Sequence, residues 1–197
     1  MHISEGVLSA NILIASDVIA LGILAYAFWR LQREQMVFAA VLSALFFVAS
    51  FVHIPIGPTA THLLMSGIVG LFLGVGAFVA IFVGLLLQAL LFGYGGVSVL
   101  GVNLLIIATP ALIARFLFQL KLQTIGTQLL VDFLMGALPI LVSSLLLAGV
   151  LALDNEAFLS VAILSLLTNL PIVLLEGIFM VMILRYLRKV SPRLLEI

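Results

Sequence analysis

Long runs of apolar residues dominate the chain, and only short polar or glycine- and proline-containing stretches interrupt them. Such runs are typical of helices that cross a lipid bilayer, which takes about 20 helical residues. The pattern predicts seven helices, at about residues 7–29, 36–52, 62–74, 76–92, 103–118, 127–151 and 158–186. We therefore predict an all-α polytopic membrane protein, a bundle of about seven transmembrane helices forming a single domain over residues 1–197.

Composition supports a membrane environment and excludes several classes of protein. Of the 197 residues, 65% are hydrophobic and 8% are charged, with a mean hydropathy of +1.44. Soluble domains carry about 25% charged residues, so lipid must cover most of this surface. The net charge is zero, which gives no basic patch for nucleic acid. The absence of cysteine excludes disulfides and thiolate metal sites.

Basic residues set the expected orientation. With seven spans, all of them fall on one side of the membrane: Arg30, Arg33, Arg115, Lys121, Arg185, Arg188, Lys189 and Arg193. The positive-inside rule makes that side cytoplasmic, so we predict the N-terminus outside and the C-terminus in the cytoplasm. The opening lacks the positively charged region of a secretory signal, and we expect Met1 to be retained.

Three carboxylates and one row of small residues lie inside apolar segments. The carboxylates are those of Asp17, Asp132 and Glu176. They serve either a proton or ion relay or structural hydrogen bonds, and for Glu176 we favour the structural role. Asp132 is expected near the cytoplasmic interface. Small residues recur every four positions at Ser66, Gly70 and Gly74. Such a row serves either close internal helix packing, which we favour, or docking of a partner membrane protein.

The three histidines form the candidate metal site. His2 is next to the terminus, His53 is predicted to end the second helix and His62 to open the third, so all three are expected outside. The Met1 amine, the His2 amide nitrogen and the His2 imidazole can close two fused chelate rings on one ion. Three nitrogens then lie near one plane, as Ni(II) and Cu(II) prefer, and His62 or His53 is the fourth donor. The amide must lose its proton, so affinity should fall in acid.

Asn103 follows a glycine-rich loop that is expected on the same outer side. Its amide is suited either to hydrogen-bond a ligating imidazole and fix its tautomer or to cap the helix that begins there. The glycines of this loop are not followed by the lysine of a phosphate-binding loop.

Several stretches of the chain together resemble one family. They are Met1–Ser9, His53–Leu63, Leu87–Gly96, Leu100–Asn103 and Leu175–Gly177. In order and spacing these stretches resemble the CbiM/NikM family, the substrate-binding membrane component of cobalt and nickel energy-coupling-factor transporters. The His53–Leu63 stretch is closer to cobalt-type members.

The resemblance implies a metal site and selects His62 over His53. Its ligands are the Met1 amine, the amide nitrogen and imidazole of His2, and the His62 imidazole, and the transported substrate is Co(II) or Ni(II). Two departures concern the surroundings of the site: Ser4 stands where the family often has proline, and the loop 57–61 differs from the usual glycine-rich one.

The resemblance also implies an ATP-driven importer in the cell membrane, with this chain as a transporter subunit and not an enzyme. The chain has no nucleotide-binding motif of its own. Implied partners are a transmembrane coupling protein, two cytosolic ATPase subunits and, in many systems, a small auxiliary membrane protein. The alternatives are a self-sufficient secondary metal/proton transporter that uses Asp17 and Glu176, and a membrane protein with bis-histidine haem. A metalloprotease is excluded because a His-Glu-x-x-His motif is absent.

Overall fold

The computed structural model describes residues 2–56, 59–120 and 124–196, with only the backbone at residues 53–56, 59 and 60. Seven α-helices and one short hairpin lie within these ranges. The helices are α1 (Ala10–Arg30), α2 (Arg33–Ala49), α3 (Ser66–Leu73), α4 (Ala77–Phe92), α5 (Leu100–Phe118), α6 (Ile125–Asp154) and α7 (Leu159–Val190), and the strands are β1 (His53–Ile56) and β2 (Thr59–His62). The predicted helical class is therefore confirmed.

Five stretches are long and apolar enough to cross a membrane: Ala10–Arg30, Ser66–Phe92, Val97–Phe118, Ile125–Asp154 and Glu156–Val190. In the first and last of these only 17% of the most apolar window is buried inside the protein, so α1 and α7 expose long apolar faces. Exposing apolar faces of this size to water is unfavourable, whereas the hydrocarbon of a lipid bilayer can cover them. The protein is a multi-pass membrane protein.

The chain reverses direction inside the stretch Ser66–Phe92. As one straight helix its 27 residues would hold its ends about 40 Å apart. Instead, His62 before the stretch and Gly95 after it both lie beside His2. The turn is at Gly74–Gly76, where Gly74 has a φ of 53°, so α3 and α4 run in opposite directions.

The sequence-based boundaries are wrong around the second and third helices. His53 was expected to end a helix, but α2 stops at Ala49 and His53 begins β1. His62 was expected to open a helix, but it ends β2, four residues before α3. Proline disfavours helix within the hairpin, and Met65, with a φ of 55°, blocks extension of α3 toward His62.

Small residues bring the central helices into backbone contact. A methyl group at Gly70 would overlap the carbonyl oxygen of Ala111 in α5, and one at Gly67 would overlap that of Met135 in α6. Gly136 packs in the same way on Glu176 of α7. The Ser66–Gly70–Gly74 row is thus an internal packing surface, which confirms the packing interpretation over a partner-docking face.

The two ends of the bundle differ in charge. At the arginine end, which contains Leu31, Gly76, Arg115 and Arg188, the Arg115 side chain donates to the Leu71 carbonyl over 3.1 Å and caps α3. Arg188 of α7 pairs with Asp132 of α6 through two hydrogen bonds. Asp132 is therefore buried in an ion pair at the arginine end of the bundle.

Candidate metal site

The N-terminal peptide folds back over the opposite end of the bundle, which we call the histidine end after His2 and His62. Asn103, at the start of α5, holds this peptide by the backbone of Ile3. The Ile3 N–H donates to Asn103 Oδ1 over 2.9 Å, and Asn103 Nδ2 donates to the Ile3 carbonyl over 3.0 Å. The Ile3 side chain is buried. The bonds between Ile3 and Asn103 thus hold the backbone next to His2 in place.

Glu5 ties the same peptide to the loop before α5. Its N–H donates to the Gly95 carbonyl over 2.9 Å, and its carboxylate accepts from the Ser98 N–H and hydroxyl over 2.9 and 3.0 Å. The hydrogen bond from the Ser98 backbone is the main reason that the pKa of Glu5 lies below its usual value. Gly95 and Gly96 have positive φ values and let the loop approach the peptide closely.

The two imidazoles of His2 and His62 face each other. His62 Nε2 lies 3.2 Å from His2 Nδ1, and the rings are stacked at 5.0 Å between centroids and 19° between planes. His62 Nδ1 lies 3.1 Å from the Leu63 carbonyl, which can only accept, so Nδ1 carries the His62 proton. The lone pair of His62 Nε2 therefore points toward His2.

Helix α7 fixes the segment that carries His62. Thr61 donates its hydroxyl to Asn169 over 2.9 Å, and the buried Glu176 carboxylate accepts the N–H groups of Leu64 and Met65 over 2.6 and 2.8 Å. Glu176 thus satisfies backbone donors where the chain enters α3. This is the structural role that we favoured for it.

The pKa of the His2 imidazole lies well below its usual value. Burial is the largest cause, followed by the electrostatic effects of the chain terminus and of the neighbouring His62. His2 is neutral at pH 7 as a result, which is the form that binds a metal ion.

The predicted site residues are only partly brought together. His2 and His62 are in contact, whereas Met1 lies outside the described residues. His53 pairs with His62 across the hairpin through the backbone, and its side chain is not described. Asn103 has neither of the two roles considered from the sequence, since its amide binds the Ile3 backbone instead of an imidazole and α5 already begins at Leu100. The asparagine positions the peptide and not a ring.

Sequence reasoning missed Gln88, which lies on α4 next to the His2 ring and is fully buried. An amide in the middle of an apolar helix is costly in a membrane, and this was the signal available. Among the described residues, no group of three or more histidines or carboxylates lies close enough to hold an ion.

Comparison with known proteins identifies the family. A family model described as the CbiM cobalt uptake substrate-specific transmembrane region matches residues 2–194. The chain belongs to the CbiM family. The resemblance noted from the sequence is thereby confirmed.

Relatives of this CbiM-family chain are named for metal transport. One from Haemophilus influenzae, named "Putative metal transport protein", is 39% identical and aligns over 100% of this chain and 97% of its own length. Another from Archaeoglobus fulgidus, named "Putative fused nickel transport protein NikMN", is 32% identical over 52% of this chain and 36% of its own length. The family thus points to a transporter and not to an enzyme.

A solved structure shares the CbiM-family fold. It is the crystal structure of a transition metal transporter, with a TM-score of 0.83 and 25% sequence identity over 96% of this chain and 93% of the other. The helical arrangement described above is therefore that of a known metal transporter.

Proposed function

We propose that this protein is the substrate-capture component of an energy-coupling-factor importer for Co(II) or Ni(II). Its four ligands would be the Met1 amine, the His2 amide nitrogen, His2 Nδ1 and His62 Nε2. The observation that carries the proposal is the 3.2 Å approach of His62 Nε2 to His2 Nδ1.

The geometry of a terminal chelate supports this ligand set. The amine, the amide nitrogen and Nδ1 of one peptide occupy three consecutive corners of a square plane, so the fourth corner is adjacent to Nδ1. With metal–nitrogen bonds of about 2 Å, adjacent donors lie about 2.9 Å apart and opposite donors about 4 Å apart. The observed 3.2 Å matches adjacent corners. It also disfavours bis-histidine haem, in which the two nitrogens are opposite ligands.

Both metals suit such a site. Four nitrogens in a plane favour Ni(II), and the same donors bind Co(II). The family description refers to cobalt, and the relative from Archaeoglobus fulgidus is named for nickel transport. Availability of the ion and the partner subunits would then decide which metal is carried.

The position of the site suits capture from outside. We propose seven membrane crossings in one domain, with the histidine end outside and the arginine end in the cytoplasm, because arginines concentrate at the latter. Energy would come from partners: a transmembrane coupling protein, two cytosolic ATPases and in some systems a small auxiliary membrane protein. A self-sufficient proton-coupled transporter is less consistent with Glu176, whose carboxylate is engaged by two backbone N–H groups.

Metal binding by purified variants tests the ligand set. The wild type, His2→Ala, His62→Ala, His53→Ala and a form extended by one N-terminal glycine would be titrated with Ni(II) and with Co(II) in detergent. The first two substitutions and the extension should each weaken binding by more than the roughly 10–100-fold typical of residues outside the ligand shell. His53→Ala is the matched control and should bind normally. Undiminished binding by the extended form would overturn the terminal chelate.

A further inference from the structure

Three buried polar atoms next to the metal site have no hydrogen-bond partner. Among the described residues, His2 Nε2 and both amide atoms of Gln88 are buried and unpaired. The Gln88 side chain lies within interaction distance of the His2 ring, but short of hydrogen-bond geometry. An unpaired buried polar group is costly, so two such groups side by side require an explanation.

The positions of the protons on the two imidazoles explain why these polar groups lie side by side. The Leu63 carbonyl holds the His62 proton on Nδ1, which leaves His62 Nε2 as an acceptor. Its contact with His2 Nδ1 is then a hydrogen bond only if His2 carries its proton on Nδ1. In the metal-free protein, His2 Nε2 is consequently an acceptor.

Metal binding at His2 Nδ1 requires the other tautomer. The ion takes the Nδ1 lone pair, so the ring proton must be on Nε2, which becomes a donor. His2 Nε2 thus needs a donor as its neighbour before metal binds and an acceptor afterward. A glutamine amide offers both, and a half-turn of the amide exchanges its NH₂ group for its oxygen.

We propose that Gln88 is a positioning residue that follows this tautomer change of His2. A small shift of the Gln88 side chain would let its NH₂ group donate to His2 Nε2 in the metal-free state, and after a half-turn its oxygen would accept from His2 Nε2–H in the loaded state. Both amide atoms are free of other partners among the described residues, so the half-turn breaks no other bond. This inference rests on the proposed function, since it assumes that His2 Nδ1 is a ligand.

Two substitutions at this position separate hydrogen bonding from packing. Gln88→Met keeps the volume but removes the acceptor, and Ni(II) affinity should fall about 10–100-fold, the usual effect of losing the partner of a ligating histidine. Gln88→Glu provides a stronger acceptor, so its Ni(II) affinity should equal or exceed that of the wild type. Ser143→Ala removes another unpaired buried hydroxyl, on α6, and is the control that should bind normally.

Nitrogen-15 NMR of labelled histidine gives a readout that packing alone would not move. The wild-type His2 proton should be on Nδ1 without metal and on Nε2 with diamagnetic planar Ni(II). In Gln88→Glu it should already be on Nε2 without metal. If Gln88→Met does not fold, these Gln88→Glu results decide alone.

Several results would overturn the role of Gln88. Among the affinities for Ni(II), these are an unchanged value in Gln88→Met, an equal loss in Gln88→Met and Gln88→Glu, or a loss in Ser143→Ala equal to that in Gln88→Met. Weaker Ni(II) binding by Gln88→Glu than by the wild type, or a His2 proton that stays on one nitrogen when metal binds, would also overturn it. A wild type that binds no Ni(II), or binds equally well with an extended terminus, would contradict the proposed function itself. The two failures are therefore distinguishable.

Discussion

At the scale of single residues, the site depends on how closely the loop before α5 approaches the N-terminal peptide. Gly93 and Gly95 both have positive φ values, of 68° and 75°. A methyl group at Gly95 would lie 2.9 Å from Asn103 Nδ2 and 3.6 Å from His2 Cβ, whereas one at Gly93 would meet nothing within 4 Å. An alanine at either position would suffer similar backbone strain, but only one at Gly95 would contact the site.

This difference predicts that replacement by alanine impairs metal binding at Gly95 but not at Gly93. Gly95→Ala should push Asn103 from the Ile3 backbone and weaken Ni(II) binding by about 10-fold or more, as loss of a supporting contact does. Gly93→Ala should lose a similar amount of thermal stability but bind Ni(II) normally. Isothermal titration and thermal unfolding measure both, and equal affinities for the two variants would contradict the prediction.

Glu5 predicts how the peptide responds to acid. A carboxyl whose pKa is lowered by folding stabilises the folded form at pH values above its ordinary pKa, and this contribution is lost as pH falls through the lowered pKa. Protection of the Ile3 and Glu5 amides from hydrogen exchange should therefore decrease below about pH 4.5, once exchange chemistry is corrected for pH.

Substitution of Glu5 supplies the control for this acid effect. Glu5→Gln should show low protection already at neutral pH. Glu156→Gln removes another exposed carboxylate at the histidine end and should behave as the wild type. Full protection of Ile3 in Glu5→Gln would mean that Asn103 alone holds the peptide.

At the scale of elements, the segment between β2 and α3 depends on α7. Glu176 accepts two backbone N–H groups there, and Glu176→Leu would leave both unpaired, at about 1–3 kcal/mol each. Glu176→Gln keeps one oxygen in place and should be destabilised less. Thermal unfolding in detergent measures the difference, and equal stability of the two variants would show that the carboxylate does not hold the segment.

The helices were predictable and this segment was not, for a physical reason. Apolar runs mark helices because lipid demands continuous backbone hydrogen bonding. The segment around His62 is fixed instead by single long-range bonds, such as Thr61 to Asn169, which no local pattern encodes. The contact of His2 with His62 was expected from chelate chemistry and family resemblance, whereas the bonding of Asn103 to the Ile3 backbone depends on a fold-back that only the structure reveals.

At the scale of the whole molecule, the absence of cysteine makes the orientation easy to measure. Glu156 at the histidine end and Arg193 at the arginine end are both exposed, so each can be replaced by a unique cysteine. In intact cells, a membrane-impermeant maleimide should label Glu156→Cys and should label Arg193→Cys only after permeabilisation. The reverse pattern would place the histidines in the cytoplasm and remove capture from outside.

The two halves of the candidate site are attached to different parts of the bundle. Asn103 of α5 and the loop before it carry the His2 half, while Asn169 and Glu176 of α7 carry the His62 half. A bound ion would therefore join the segment held by α5 to the segment held by α7. A displacement of one segment relative to the other by about 1 Å would lengthen metal–nitrogen bonds of about 2 Å beyond their normal range. A partner that displaced the segment held by α7 relative to α5 would therefore weaken the proposed site without unfolding either part.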